Sequence, residues 1–247
     1  RNAQGPVPRS YAGLRVTGRI ALTKTIFGED FQFLKSVTKA TPKLTIPSPS
    51  LLHRRGGPEV IDPSVYPSLE PFWSDLAAAY ADEIEALGKL GCTYLQIDDT
   101  SFAALCDPAY REGLAGSGFD VDRLHLTYIK LFNDCLRKKP PEMAVCVHSC
   151  RGNYRSAWIT SGGYDHVAEA LFNALEVDGF FLEYDDSRSG GFEPLRFVPK
   201  GKKVVLGLVT TKSGTLETKD AVKRRIEEAA KYVPIEQICL SPQCGFA

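Results

Sequence analysis

The sequence predicts an α/β fold built on a parallel sheet. Seven short, β-rich apolar runs recur along the 247 residues, and helical patterns follow most of them. These runs are continuous rather than alternating, as expected of parallel strands that are covered on both faces. The seven predicted strands are Leu14–Ile20, Lys43–Pro47, Thr93–Asp98, Met143–Ser149, Phe180–Tyr184, Val204–Val209 and Gln237–Ser241.

The intervals between the predicted strands carry helical patterns. Phe72–Leu90, Leu124–Lys138 and Tyr164–Leu175 repeat apolar residues with the helical period. Thr218–Tyr232 places an acidic residue in its first turn and basic residues after it, as the helix dipole prefers. Strands that alternate with helices in this way predict βαβ units. No linker, repeat or low-complexity tract interrupts them, so residues 1–247 are predicted to form one domain.

Seven strands suit either a doubly wound sheet or an eight-stranded barrel that lacks one strand. The two ends of the chain favour the barrel, because residues 1–13 resemble a loop and the chain stops at SPQCGFA directly after a strand. We therefore expect a (β/α)8 TIM barrel, with terminal segments of the barrel lying outside this chain.

Composition excludes several functional classes. Lys+Arg and Asp+Glu number 30 each, which disfavours binding to nucleic acid or an anionic membrane through bulk charge. No apolar run approaches the roughly 18 residues of a transmembrane helix, and the first residues carry no signal-peptide core. Five cysteines in apolar surroundings predict buried thiols in a reducing cytoplasm. They are Cys92, Cys106, Cys135, Cys146 and Cys239.

Side chains that can bind a metal collect at the ends of the predicted strands. His148 and Cys150 close one strand, Glu183 closes the next, and Cys244 follows the last. In a barrel these ends meet on one face, and an imidazole, two thiolates and a carboxylate are accepted zinc ligands. Residues two apart in an extended segment face the same side, so His148 and Cys150 can reach one ion. The alternative is a core histidine, two buried thiols and a surface carboxylate.

The charge of this ligand set favours thiol chemistry over hydrolysis. Two thiolates and a carboxylate around a dication leave a net charge of about −1, which makes a poor generator of hydroxide. Such a centre suits a substrate thiol held as a thiolate. Four protein ligands are also the mark of structural zinc, so a structural-zinc protein without catalytic activity stays open.

The sequence resembles the catalytic C-terminal barrel of the cobalamin-independent methionine synthases. The resemblance covers nearly the whole chain and is closer to the short, single-barrel branch, which is related to epoxyalkane:coenzyme M transferase. It implies that zinc is held by His148, Cys150, Glu183 and Cys244, and that Asp98 binds the amino group of a homocysteine-type acceptor. The segments that carry it are YLQIDDTSFAALCDP, VCVHSCRGNYR, FFLEYDDSRSG, KKVVLGLVTTKSG and LSPQCGF.

The chain departs from the full synthases at two places near the predicted site. Lys212 stands where the synthases carry a histidine with a proposed role in proton transfer, so Lys212 is a candidate catalytic residue beside Asp98. The segment Pro47–Gly57 replaces the tryptophan-bearing stretch that stacks on the pteridine of the folate. Within it, three basic residues are candidates for binding an anionic group of a substrate. They are His53, Arg54 and Arg55.

The resemblance therefore implies a zinc-dependent S-methyltransferase that moves a methyl group to a zinc-bound thiolate and gives a thioether such as methionine. The acceptor is a small-molecule thiol, and the methyl donor is methyltetrahydrofolate or a methylated corrinoid protein. The nearest alternative is another S-alkylation, such as epoxide opening by coenzyme M. A zinc hydrolase is disfavoured by the anionic ligand set.

Overall fold

A computed structural model describes residues 14–117, 119–153 and 156–245, so the predicted loop over residues 1–13 lies outside the described residues. Six strands form one sheet in the order of the sequence. A doubly wound sheet reverses its strand order part-way, whereas a barrel does not, so the predicted fold of the (β/α)8 class is confirmed. The strands are β1 (Leu44–Pro47), β2 (Tyr94–Asp99), β3 (Ala144–Ser149), β4 (Gly179–Glu183), β5 (Lys203–Val209) and β6 (Ile238–Pro242).

Six of the seven predicted strands are confirmed, and the strand over Leu14–Ile20 is wrong. In the described residues that segment makes an isolated bridge between Val16 and Ile61, in which the Val16 N–H donates to the Val60 carbonyl at 2.8 Å and the Val16 carbonyl accepts the Asp62 N–H at 3.0 Å. The physical reason is burial: Val16 is covered, but Leu14 is 62% exposed. The run therefore has no second apolar residue packed into a sheet.

All four predicted helices are present, and four further helices were not predicted. Tyr164–Leu175 divides into a 3-10 turn, Tyr164–His166, and a helix from Ala168. The unpredicted helices are α1 (Gly28–Val37), α2 (Leu51–Gly56), α4 (Ser101–Leu105) and α5 (Pro108–Gly116). The predicted ones are α3 (Leu69–Lys89), α6 (Leu124–Cys135), α7 (Ala168–Ala174) and α8 (Lys219–Ala229).

The chain divides into two compact units. The described residues of the first unit lie between 98 and 126 and between 146 and 245, and those of the second lie between 14 and 97 and between 127 and 145. In the second unit, α3 packs Phe72 and Leu76 against Leu131 and Cys135 of α6. Each such fully buried side chain contributes about 1.5–3 kcal/mol. The single domain expected from the sequence stays a prediction.

The register of the first unit brings the carboxyl ends of its strands to one level. Strands β3 to β6 pair in parallel, with Ser149 opposite Leu182 and Glu183 opposite Gly207. Gly207 in turn lies opposite Ser241, just before β6 ends. Residues that follow β3 and β6 therefore emerge beside the end of β4.

The prediction that five cysteines are buried is confirmed at four of them. Cys92, Cys106, Cys135 and Cys146 are buried as expected, but the expectation for Cys239 is wrong, because it is exposed on β6. Most residues of β6 are only partly covered, so an apolar neighbourhood in the sequence did not guarantee burial.

Of the helices in the described part of the chain, none has the length and apolar character needed to cross a membrane.

Candidate metal centre

The structure brings together all four predicted metal ligands. His148 lies at the end of β3, Cys150 directly after it, Glu183 at the end of β4 and Cys244 just beyond β6. One potential ligand atom from each lies within 4.8 Å of the others. The Cys150 and Cys244 sulfurs are 3.7 Å apart, which is much longer than a disulfide bond of about 2.05 Å. The four side chains form a cluster that could hold one metal ion.

Two ligand atoms of this cluster are buried without a hydrogen-bond partner. These are Nε2 of His148 and Oε2 of Glu183, considering the described residues. The other carboxylate oxygen of Glu183 accepts the backbone N–H of Arg151 at 2.8 Å. Burying an unpartnered polar atom is costly, and a cation at this point would supply the missing partner. A nitrogen, two sulfurs and an oxygen also match the donors that zinc prefers, so the residues fit zinc.

The two thiols are electrostatically inequivalent. A hydrogen bond between the two sulfurs raises the pKa of Cys150, which is also raised by burial, and lowers the pKa of Cys244. Burial opposes the charged form of His148, but the Cys244 sulfur outweighs it and raises the pKa of the imidazole. Burial also raises the pKa of Glu183. Of the two thiols, Cys244 is thus the one whose surroundings favour the thiolate.

An ion-pair network supports the carboxylate ligand. Arg188 is almost fully buried and lies 3.6 Å from Oε2 of Glu183. Its guanidinium also contacts both oxygens of Asp185, at 2.8 and 2.9 Å, and pairs with Asp186. The ring of Trp158 covers the guanidinium at 5.0 Å. The charge of Arg188 is therefore shared among three carboxylates.

Lys212 lies beside the cluster and is bonded to the loop that follows Cys150. Its Nζ donates to the carbonyl oxygen of Gly152 at 2.8 Å and to that of Ala157 at 3.5 Å. The side chain is half-buried, and burial lowers the pKa of its ammonium group. The negative charges of Glu183 and the two cysteines oppose this lowering of the pKa.

The neighbouring aspartates at the end of β2 have different environments. Asp99 is fully buried, and one carboxylate oxygen accepts the backbone N–H groups of Ser101 and Phe102, each at 2.7 Å. Asp99 therefore supports the start of α4. Asp98 is half-buried, and its negative charge acts on His148.

The three basic residues after β1 lie on helix α2, in the second unit. His53 is buried, with Nδ1 3.0 Å from the Tyr128 hydroxyl and the ring edge-on to Trp73. Burial lowers the pKa of His53 to about 4, so the ring is neutral near pH 7. Arg54 is half-buried and Arg55 is exposed. Binding of an anionic group by these residues stays a prediction.

Several residues around the cluster were not singled out by the sequence. The Tyr164 hydroxyl accepts the backbone N–H of Glu183 at 3.0 Å. Asn153 donates to Thr211 at 3.2 Å and to the carbonyl of Gly245 at 2.5 Å, and Thr211 also bonds to Gln243. The signal available in the sequence was position, because Asn153 and Gln243 closely flank the cysteine ligands.

Residues 54–247 match the family described as the catalytic domain of cobalamin-independent synthase. The chain belongs to this family. Its members are methyltransferase-type enzymes, so the resemblance stated from the sequence is confirmed. The matched residues include all four candidate metal ligands, together with Asp98 and Lys212.

Individual relatives agree with the family. The chain is 47% identical to the Bacillus subtilis protein YxjH over 95% of its own length and 62% of that protein. A crystal structure from Listeria monocytogenes, assigned to the vitamin-B12 independent methionine synthases, is 41% identical with a TM-score of 0.77. It covers 94% of this chain and 67% of that one. The methionine synthase of Pyrococcus abyssi is 27% identical over 73% of this chain and 44% of its own.

Proposed function

We propose that the protein transfers a methyl group to the sulfur of a homocysteine-type thiol, with zinc held at the cluster. The observation that carries this proposal is the cluster itself, whose four ligand atoms lie within 4.8 Å of one another at the strand ends. Membership of the cobalamin-independent synthase family supplies the reaction class. Because the chain spans 62% of YxjH, activity and substrates of the whole protein are part of the proposal.

The protein side chains divide the work between holding the ion and holding the substrate. His148, Cys150, Glu183 and Cys244 would bind zinc, which when present supplies the positive charge that keeps an acceptor thiol deprotonated. Asp98, on the strand beside His148, would bind the ammonium group of the acceptor. A fixed amino group places the acceptor sulfur in line with the methyl carbon.

The reaction forms a sulfur–carbon bond while the bond between the methyl carbon and the donor breaks. The donor we propose is methyltetrahydrofolate, whose nitrogen leaves and takes up a proton. The ammonium group of Lys212, which follows β5, is bonded to the loop after Cys150 and would hold a proton or an anionic group of the donor there. His53, Arg54 and Arg55 are the second candidates for the anionic part of the donor. A corrinoid methyl donor finds no support in a family that is cobalamin-independent.

Zinc K-edge absorption of the purified protein tests the proposal. We expect one zinc per chain in a shell of nitrogen, oxygen and two sulfurs, and one additional sulfur after homocysteine is added. Cys150→Ser should lose most of the zinc and all turnover, with methyltetrahydrofolate and homocysteine as substrates. The same measurement with coenzyme M is the comparison.

The outcomes separate the alternatives. If coenzyme M adds a sulfur to the zinc shell and homocysteine does not, the result would support the epoxide-type reaction instead of methyl transfer. If neither thiol adds a sulfur to the zinc shell, the metal would have a structural role and the proposed reaction would be wrong. Full turnover by a zinc-replete Cys150→Ser protein would also overturn the proposal.

A further inference from the structure

Arg151 is a buried cation that has no role in the reaction as proposed above. It directly follows the ligand Cys150, and only 1% of its surface is exposed. Its three guanidinium nitrogens have no hydrogen-bond partner within the described ranges. Removing a cation from water costs several kcal/mol unless an opposite charge compensates for it. Burial of the charged Arg151 side chain therefore requires a negative charge nearby to offset this cost.

The contacts of Arg151 connect it to the metal cluster. The guanidinium carbon lies 4.5 Å from the centre of the Tyr164 ring, a cation–π contact. The hydroxyl of that same Tyr164 accepts the backbone N–H of Glu183, whose side chain accepts the backbone N–H of Arg151. Tyr164 thus fixes both the cation and the carboxylate ligand. The charge of Arg151 in turn favours the ionised form of Glu183.

The other cations near the cluster are already engaged. Arg188 pairs with Asp185 and Asp186 as well as with Glu183, so this group carries net negative charge. Lys212 donates to backbone carbonyls and is half-buried, so water screens part of its charge. Arg151 differs from both, because it is fully buried and makes no ion pair with a carboxylate side chain in the described part of the chain.

Charge counting shows what this cation can do. Two thiolates, a carboxylate and a dication leave the loaded cluster at about −1. An acceptor that binds as a thiolate releases its thiol proton to solvent and adds another negative charge. A second excess charge in a buried site is strongly unfavourable unless a fixed positive charge offsets it.

We propose that Arg151 is a positioning residue that supplies the charge needed for the metal centre to accept a substrate thiolate. This inference rests on the proposed function. It predicts that the effect of Arg151 depends on the charge of the bound sulfur rather than on the amino or carboxyl group of the substrate.

The test compares homocysteine with methionine on the cobalt(II)-loaded protein. The two ligands share the amino acid part, but only homocysteine can bind as a thiolate, and sulfur-to-cobalt absorption reports its binding. We expect Arg151→Met to retain one cobalt per chain and to bind homocysteine at least about tenfold more weakly. Its affinity for methionine, measured by competition, should change less than threefold. Arg151→Lys should restore most of the homocysteine affinity.

The matched control is Arg196→Met, since Arg196 is an exposed arginine that donates to the Glu193 carbonyl and covers the Phe197 ring. It should leave both affinities unchanged. Unaltered homocysteine binding by Arg151→Met would overturn the inference. Equal weakening of both ligands would assign Arg151 to the substrate carboxylate instead, and loss of cobalt from Arg151→Lys as well as from Arg151→Met would assign it to the folding of the ligand set. Absence of thiol binding by the unmodified protein would overturn the proposed function itself.

Discussion

Asp98 and Asp99 are adjacent in the chain but differ in burial, and the carboxylate of Asp99 is bonded to the helix that follows β2. Asp99 accepts two backbone N–H groups at the start of α4 and is fully buried. We expect Asp99→Ala to lower the free energy of unfolding by about 1–2 kcal/mol, because both N–H groups lose their acceptor. Urea unfolding of the metal-free protein measures this change.

Asp98→Ala is the matched control for that substitution. It should lower the free energy of unfolding by less than Asp99→Ala does, because Asp98 is only half-buried whereas Asp99 is fully buried. If the proposed function is correct, Asp98→Ala weakens homocysteine binding, whereas Asp99→Ala affects it less. The reverse order of the two stabilities would show that Asp98, not Asp99, supports α4.

The residue types that bind metals could be predicted from the sequence, but their supporting residues could not. His148, Cys150, Glu183 and Cys244 stand out because polar side chains close apolar strands. The task of Arg151 depends on Tyr164, which approaches it only in the folded chain. A pattern of single residues holds no information about such a contact.

Gly207 shows how an element, rather than a side chain, positions the cluster. A Cβ atom at Gly207 would lie 2.5 Å from the Cα of Gln243 and about 3 Å from two backbone oxygens, those of Leu182 and Pro242. The pairing of β5 with β6 also shifts register between Gly207 and Val209. The chain at the end of β6, just before Cys244, therefore passes so close to Gly207 of β5 that a side chain at position 207 would clash with it.

We expect Gly207→Ala to displace the end of β6 and to lower the free energy of unfolding by about 1–3 kcal/mol through overpacking. Zinc affinity should fall with it, because Cys244 moves away from Cys150. Urea unfolding and competition with a chromophoric chelator measure the two effects. Gly113→Ala is the control: Gly113 lies in α5 with open space around it, so alanine should stabilise the helix by about 0.5–1 kcal/mol. Unchanged zinc affinity in Gly207→Ala would contradict this account of β6.

Uniform burial makes some of the predicted elements easy to see in the sequence. Strands β3, β4 and β5 are almost fully buried, and each has a continuous apolar run. Helix α3 is 21 residues long, so its periodicity is visible, whereas α2 and α4 have six and five residues, too few to repeat. The segment Leu14–Ile20 has strand composition, but in the described residues it pairs with a neighbouring segment only through the bridge at Val16.

At the scale of the whole chain, the two compact units differ in the polar groups that they bury. The first unit contains all four candidate metal ligands together with Arg151. The second buries His53 against Trp73 and Tyr128, within an aromatic cluster. A change of pH can therefore affect the stability of the protein through groups that take no part in metal binding.

The pKa of His53 is about 4 in the folded chain and about 6.5 in an unfolded one, because burial disfavours the imidazolium. Between these values the unfolded chain binds the additional proton. The contribution of His53 is thus fully present above pH 6.5 and is lost as the pH falls to 4, by roughly 3 kcal/mol. The pKa values of His125 and His166 are also lowered by burial, so they act in the same direction. We expect acid to destabilise the metal-free protein over this range.

His53→Asn isolates this contribution, because asparagine can keep a polar atom near the Tyr128 hydroxyl but does not titrate. Urea unfolding in the presence of EDTA, at intervals from pH 7.5 to pH 4.5, gives the free energy of both proteins. We expect the difference between the unmodified protein and His53→Asn to shrink steadily below pH 6.5, because only the unmodified protein loses this stability. A difference that stays constant with pH would mean that the pKa of His53 is the same in the folded and the unfolded chain, and it would contradict the effect of burial. A difference that grows as the pH falls would mean that folding favours the imidazolium, so His53 would carry a positive charge on α2 and its proposed part in binding an anionic donor would gain support.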